Sequence, residues 1–431
     1  MSDVRPTVGD SSWFVHDRFG LFIHWGLYAM AARHEWVQHR EEIPAEIYDK
    51  YFKRFDPDLY DPNLWAKAAS DAGMKYFVVT TKHHEGFCLW DSKLTDYKAT
   101  NTPAKRDLIR PMVDAFRARN MRVGFYHSLI DWHHPQYFLD RHVGPYRTAP
   151  NRAEMNAGRD QANYAQYLHG QVRELLTEFG PVDVMWLDFS YTDWGTEGKG
   201  RNDWKSEELY AMIRKLQPKV LLNDRLDLPD GWDFKTPEQS MPTVWPQFNG
   251  QRVAWEGCHT FSNSWGYHRD ESDWKSVDQL VRMLIDTVSK GGNLLLNVGP
   301  TGRGEFDERA MDRLAGLGEW MKRHGRSIYG CTQAPDEFVA PPDSRLTWNP
   351  DTRRLYVHLL AWPFKHFYMP GLAKRVEYAQ LLNDGSEVLR KGPEPWQVAK
   401  MGEPLSADRL TLELPVLKPN VTVPVVELFV K

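Results

Sequence analysis

Short apolar runs recur along roughly the first three quarters of the chain, and segments with helical apolar spacing lie between them. The runs are FGLFIHW (19–25), KYFVVTTK (75–82), MRVGFYHS (121–128), VDVMWLD (182–188), VLLND (220–224), DFKTPE (233–238), VAWEGCH (253–259) and NLLLNVGP (293–300). They are continuous rather than alternating, as expected of strands buried on both faces of a parallel sheet. Before the fourth run, Tyr164, Leu168, Val172, Leu175, Leu176 and Phe179 share one helical face. Before the eighth, Val277, Leu280, Val281, Leu284, Ile285 and Val288 form a second stripe, which Gly291-Gly292 ends. Repeated strand–helix units and eight strand candidates predict an α/β fold, a (β/α) TIM-like barrel. No glycine-rich phosphate loop follows the first run, so nucleotide binding has no support.

After about residue 335 the pattern changes. RLTWN, RRLYVHLLAW, RVEYAQLL, RLTLELP and VPVVELFVK read as strands separated by turns such as Asn383-Asp384-Gly385. The expected organisation is a catalytic (β/α) barrel over 1–335 and a C-terminal β-sandwich over 336–431.

Composition narrows the function classes. Apolar residues make up 42% and charged residues 26% of the 431 positions, which excludes a disordered or fibrous chain. A formal net charge of -4 argues against a nucleic-acid partner. No apolar stretch reaches the length of a membrane span. The N-terminal residues carry no signal-peptide pattern, so a cytoplasmic location is the expectation. Three cysteines (Cys88, Cys258 and Cys331) do not make a disulfide framework and read as core filler. Aromatic residues are abundant at 13%, which leans towards a protein that handles sugars.

In a (β/α) barrel, catalytic residues sit at the C-terminal ends of the strands. Here the first run ends in His24-Trp25, the second in Lys82-His83-His84-Glu85 and the third in Tyr126-His127. The fourth ends in Trp186-Leu187-Asp188, the fifth in Asn223-Asp224-Arg225 and the sixth in Glu238, while the seventh holds Glu256. Carboxylates, histidines, an arginine and tryptophans together suit the gripping of a polyhydroxylated ring and acid/base chemistry on it. Blander readings stand beside this one. Asp188 is also placed to cap a following helix, His24 to be a satisfied core histidine, and His83-His84-Glu85 to belong to a metal site. Adjacent strand residues face opposite ways, however, and no helical H-E-x-x-H is present, so no metal and no cofactor is expected.

At these residues the sequence resembles the α-L-fucosidases of glycoside hydrolase family 29. The matching pieces are WFxxxRFGLFIHWG (13–26), HEW (34–36), TTKHHEGFCLW (80–90), GFYHS (124–128), VMWLD (184–188), NDR (223–225), TPEQ (236–239), WE (255–256), SWGY (264–267) and GGNLLLNVGP (291–300). The resemblance implies a catalytic barrel followed by a β-sandwich, and an exo-acting, retaining hydrolase of terminal α-L-fucose on glycans or glycoconjugates. It implies Asp188 as nucleophile. The fucose grip would fall on His24, Glu35, Trp36, His83, His84, Tyr126, Trp186, Arg225 and Trp265. Glu238 is the first choice for the acid/base, with Glu256 and then Glu35 as alternates. Burial and the charge of Asp188 are expected to keep a proton on Glu238. One departure is Phe189-Ser190-Tyr191, where many members have a glycine soon after the aspartate. A retaining hydrolase of another sugar in the same barrel, or an inert sugar-binding protein, are the competing readings. The substrate is the expected partner, and the sequence is compatible with a homo-oligomer.

Overall fold

The computed structural model describes residues 4–194, 197–392, 406 and 408–431. Eight parallel strands form the central sheet: β1 (Phe19–Ile23), β2 (Tyr76–Lys82), β3 (Arg122–Ser128), β4 (Val184–Asp188), β5 (Leu221–Leu222), β6 (Phe234–Lys235), β7 (Ala254–Thr260) and β8 (Asn293–Val298). Each pairs with its neighbour in chain order up to β5, β6 pairs with β7 and β7 with β8, and β8 returns to β1. The ring closes between β5 and β6 through a single parallel bridge, Asn223 to Phe234, and the Asp233 amide donates to the Leu222 carbonyl at 2.8 Å. The barrel read from the sequence is therefore present.

Five of the crossovers carry helices against the strands, α1 (Pro62–Asp71), α2 (Ile109–Arg117), α3 (Gln161–Glu178), α4 (Ser206–Leu216) and α5 (Val277–Ser289), and α6 (Glu308–His324) follows β8. The regular alternation fails twice. After β5 the chain makes a single 3₁₀ turn, and after β6 only a small hairpin. The reason is local. LDLPDGW (226–232) and SMPTVWPQFNG (240–250) carry prolines and glycines and no helical stripe. Strands β5 and β6 are correspondingly short.

The N-terminal segment plugs the bottom of the barrel. Trp13 and Phe14 belong to the interior cluster with Phe22, Tyr76, Tyr126, Trp186, Phe234 and Leu295. Asp233 fixes the segment by accepting from the Val8 and Gly9 amides at 2.7 and 2.8 Å. Gly9 is required by space, since a Cβ there would stand 2.4 Å from the Val220 carbonyl oxygen.

The C-terminal region is two antiparallel sheets around their own core. Its strands are β9 (Thr332–Gln333), β10 (Ser344–Asn349), β11 (Arg354–Leu359), β12 (His366–Met369), β13 (Val376–Leu381), β14 (Leu389–Lys391), β15 (Leu410–Glu413) and β16 (Val425–Val430). One sheet has the order β9-β10-β11-β16-β13 and the other β12-β15-β14. Leu355, Val357, Phe367, Ala379, Leu412 and Leu428 are among the residues buried between them. This unit packs on α5 and α6. Trp320 donates to the Val423 carbonyl at 3.0 Å, Arg282 to the Leu360 carbonyl at 2.9 Å, and Arg345 pairs with Asp286 at 2.7 Å. It lies against the outer helices, away from the barrel mouth. Among the described residues, no helix is long and apolar enough to cross a membrane.

Candidate active site

The strand ends converge on a small cavity lined by Phe22, His24, Trp36, His83, His84, Tyr126, Trp186, Asp188, Phe189, Arg225, Glu238, Cys258 and Trp265. Ten of these were named from the sequence. No described residue beyond 335 reaches it.

Asp188 ends β4 and is 8% exposed. Its Oδ2 accepts from the Tyr126 hydroxyl at 2.6 Å, and its Oδ1 accepts from Arg225 Nη1 at 2.8 Å. No helix begins directly after it, so it caps nothing. Burial alone would raise its carboxyl, but the Arg225 guanidinium and the Tyr126 hydroxyl hold it below the usual aspartate value. It is therefore an anion at neutral pH. Trp186 lies beneath this pair, with the Arg225 guanidinium carbon 4.5 Å from its ring centre.

Glu238 meets the same arginine. Its Oε2 lies 2.7 Å from Arg225 Nη1, the nitrogen that also holds Asp188. At 2.8 Å and 2.7 Å from one atom, the two carboxylate oxygens stand at most about 5.5 Å apart. The Glu238 side chain is 42% exposed, so the expectation that this carboxyl is buried is corrected. The cause is its position. It follows the short β6, joined only by a bridge to Cys258, and points into the open mouth.

The histidines are held neutral and oriented. His24 sits 2.6 Å from Asn297 Oδ1 through Nδ1, and Asn297 in turn donates to the Trp265 carbonyl at 2.6 Å. The Ser128 hydroxyl donates to the Ile130 carbonyl at 2.7 Å, so it must accept from His84 Nδ1 at 2.7 Å. That leaves His84 Nε2 as an acceptor, 4.0 Å from Asp188 Oδ2. Burial lowers His24 to about 4 and His84 to about 3, and puts His83 well below its ordinary value. Neutral imidazoles suit the recognition of hydroxyl groups, which both donate and accept.

Two named glutamates do not line the cavity. Glu35 is buried behind it and accepts from the amides of Trp265 (3.0 Å) and Gly266 (2.8 Å), so it sets the loop that carries Trp265. Glu256 is fully buried one layer below the mouth, between the Tyr76 hydroxyl (2.5 Å) and Trp186 Nε1 (3.2 Å). It is the third residue of β7, whereas Cys258, two residues nearer the strand end, reaches the cavity. Glu85 serves the scaffold, accepting from the Leu27 amide at 2.8 Å and from the Tyr48 hydroxyl. Among the described residues, no group of three or more metal-ligating side chains is disposed around an ion site.

Sequence reasoning missed Phe22, Phe189 and Cys258 as lining residues, and Asn297 and Ser128 as the groups that orient histidines. Asn297 and Ser128 carry the signal used for the others, a polar residue near a strand's C-terminal end.

Residues 7–326 match the family model described as Alpha-L-fucosidase. Plasma alpha-L-fucosidase of Homo sapiens is 30% identical over 380 residues, covering 82% of this chain and 76% of that protein. Among solved structures, alpha-L-fucosidase isoenzyme 1 of Paenibacillus thiaminolyticus is 46% identical, with a TM-score of 0.90 and 98% of each chain covered. A family 29 alpha-L-fucosidase of Bacteroides thetaiotaomicron, solved as a trapped covalent intermediate with 2-fluoro-fucosyl fluoride in a glutamate-to-glutamine variant, is 26% identical. Its TM-score is 0.83, with 99% of this chain and 98% of that one covered.

Proposed function

The chain belongs to the α-L-fucosidases of glycoside hydrolase family 29, and from that premise we propose that it releases terminal α-L-fucose with retention of configuration. Asp188 is the nucleophile and Glu238 the acid/base. The observation that carries this reading is the shared nitrogen of Arg225, which keeps the two carboxylates within about 5.5 Å. Carboxyl groups about 5–5.5 Å apart suit a double displacement, whereas an inverting enzyme needs room between them for water. The covalent fucosyl species trapped in the Bacteroides thetaiotaomicron relative supports the same course.

Asp188 attacks the anomeric carbon while Glu238 gives its proton to the departing oxygen. The leaving group covers the open side of Glu238 as it binds, removing water from a carboxyl that faces the anion of Asp188. Once Asp188 is esterified its charge is gone, and Arg225 is left with Glu238 alone. Glu238, now a carboxylate, takes a proton from the incoming water. His24, His83 and His84 meet the ring hydroxyls. Phe22, Trp186 and Trp265 offer the apolar wall for the C6 methyl, the group that separates fucose from galactose.

The test is a panel of nitrophenyl glycosides with the first-formed anomer read by proton NMR. Turnover of the α-L-fucoside with α-L-fucose appearing first is expected. The β-anomer appearing first would sink the retaining assignment. Turnover of another sugar in preference to fucose would favour a different specificity in the same barrel.

A further inference from the structure

The departure after the nucleophile has a structural counterpart. Phe189 holds φ at 81°, a region that residues with a Cβ rarely occupy. Its ring is kept there by Trp36 at 5.2 Å and His84 at 5.0 Å between ring centres, so it forms one edge of the cavity. The ring row continues outward. Trp194 stands edge-on to Phe189 at 6.4 Å, touches Tyr191 at 5.6 Å and meets His142 at 5.7 Å. Trp194 is 47% exposed, an unusual position for a large aromatic side chain.

The row is built rather than incidental. Asp140 and Lys199 form a buried ion pair, and the Tyr191 hydroxyl donates to the same Asp140 oxygen. The other Asp140 oxygen accepts from the amides of His142 (2.8 Å) and Val143 (2.9 Å). One carboxylate thus ties the segment bearing His142 to the segment bearing Tyr191 and Trp194. The latter segment also adjoins the catalytic pair, because Ser190 Oγ donates to the Arg225 carbonyl at 3.0 Å.

We propose that Trp194 and Phe189 form the platform for the leaving-group sugar, receiving the apolar C–H face of the residue to which fucose is linked. The platform starts at the cavity edge and runs to solvent, and its segment meets the Arg225 carbonyl through Ser190. Its two rings are apolar, which suits the C–H face of a neutral sugar ring. The proposal rests on the fucosidase reading given above.

The experiment compares two substrates in the full-length protein. Fucosylated disaccharides of the four common linkages carry a leaving sugar, and α-L-fucosyl fluoride carries none. Trp194→Ala should lower kcat/KM for the preferred disaccharide about tenfold, mostly through KM, the size of one ring-face contact. Turnover of the fluoride should hold, which also reports that the variant is folded. Trp194→Phe should recover much of the loss. The proposal is overturned if the disaccharide rate is unchanged, if both substrates fall together, or if the wild type hydrolyses the fluoride but no disaccharide. A wild type that turns over neither substrate points to failure of the fucosidase reading itself.

Discussion

Trp186 separates two carboxylate sites inside one barrel. Above it, at the mouth, Asp188 is held by Arg225 and the Tyr126 hydroxyl. Below it, on the floor, Glu256 is held by the Tyr76 hydroxyl and by Trp186's own Nε1. Both carboxylates are buried among aromatic rings, so burial does not distinguish them. The arginine does. With a guanidinium in contact, Asp188 stays ionised despite its burial. Without one, burial raises Glu256 to about 7, only partly countered by its two hydrogen bonds. A nucleophile must be an anion aimed at open space, and only the upper site offers that. Counting acids at strand ends does not separate the two, because the difference lies in the depth of the residue and in the nearest cation.

The largest expected effect breaks the comparison at the mouth. Asp188→Ala should lower kcat by at least about a thousandfold while the protein stays folded, because a covalent step is removed. Added azide should restore some turnover and give the β-fucosyl azide, of inverted configuration. Near-normal kinetics would eliminate Asp188 as nucleophile.

Next in size is a test between the exposed and the buried glutamate. General acid catalysis contributes about 10²–10⁴-fold, and most where the leaving group is poor. Glu238→Ala should therefore cripple hydrolysis of natural fucosides and spare an aryl fucoside with a good leaving group. Azide should then capture the covalent intermediate as the α-fucosyl azide, with retained configuration. Glu256→Ala and Glu35→Ala should show neither the leaving-group dependence nor the retained azide. If Glu256→Ala shows both and Glu238→Ala does not, the role passes down to the floor.

The barrel was legible because its signal is periodic. Continuous apolar runs mark β1 to β4 and β8, and the stripe ending in Val288 lies on α5. The two missing helices were not anticipated, because the strand-like runs 220–224 and 233–238 suggested complete units. Proline and glycine in the segments after them were the clue. At the site, strand-end position placed Asp188, Arg225, His24 and the paired histidines. It could not give depth, and so Glu256 and Glu35 remained as alternates behind Glu238 for the acid/base. Nor could it tell that Glu238 would be exposed, since that follows from a strand only two residues long. Phe189 was visible as a departure, but its position at the cavity edge depends on a backbone angle that no side-chain pattern announces.

The smallest effect expected is on stability, and it gives the comparison a sign. Burial raises the Glu256 carboxyl from the ordinary 4.5 to about 7, so folding takes up a proton at intermediate pH. Its contribution is full below pH 4.5 and is lost as pH rises through 7, a change of up to about 3 kcal/mol if the shift is fully expressed. Asp188 has the opposite sign. Its carboxyl lies below the usual value, so its contribution is present above pH 3.8 and is lost on acidification. Glu256→Gln keeps an acceptor for Trp186 Nε1 and a donor for the Tyr76 hydroxyl, but it cannot ionise. The melting temperature of this variant should therefore fall less than that of the wild type between pH 5 and pH 7, by a few degrees for a chain of this size. Glu85, raised by burial to about 8, should leave a residual fall at higher pH in both proteins. Differential scanning fluorimetry across that range reads the slope. Parallel curves for the two proteins would mean that Glu256 is ionised in the folded state, and the contrast between floor and mouth would fail.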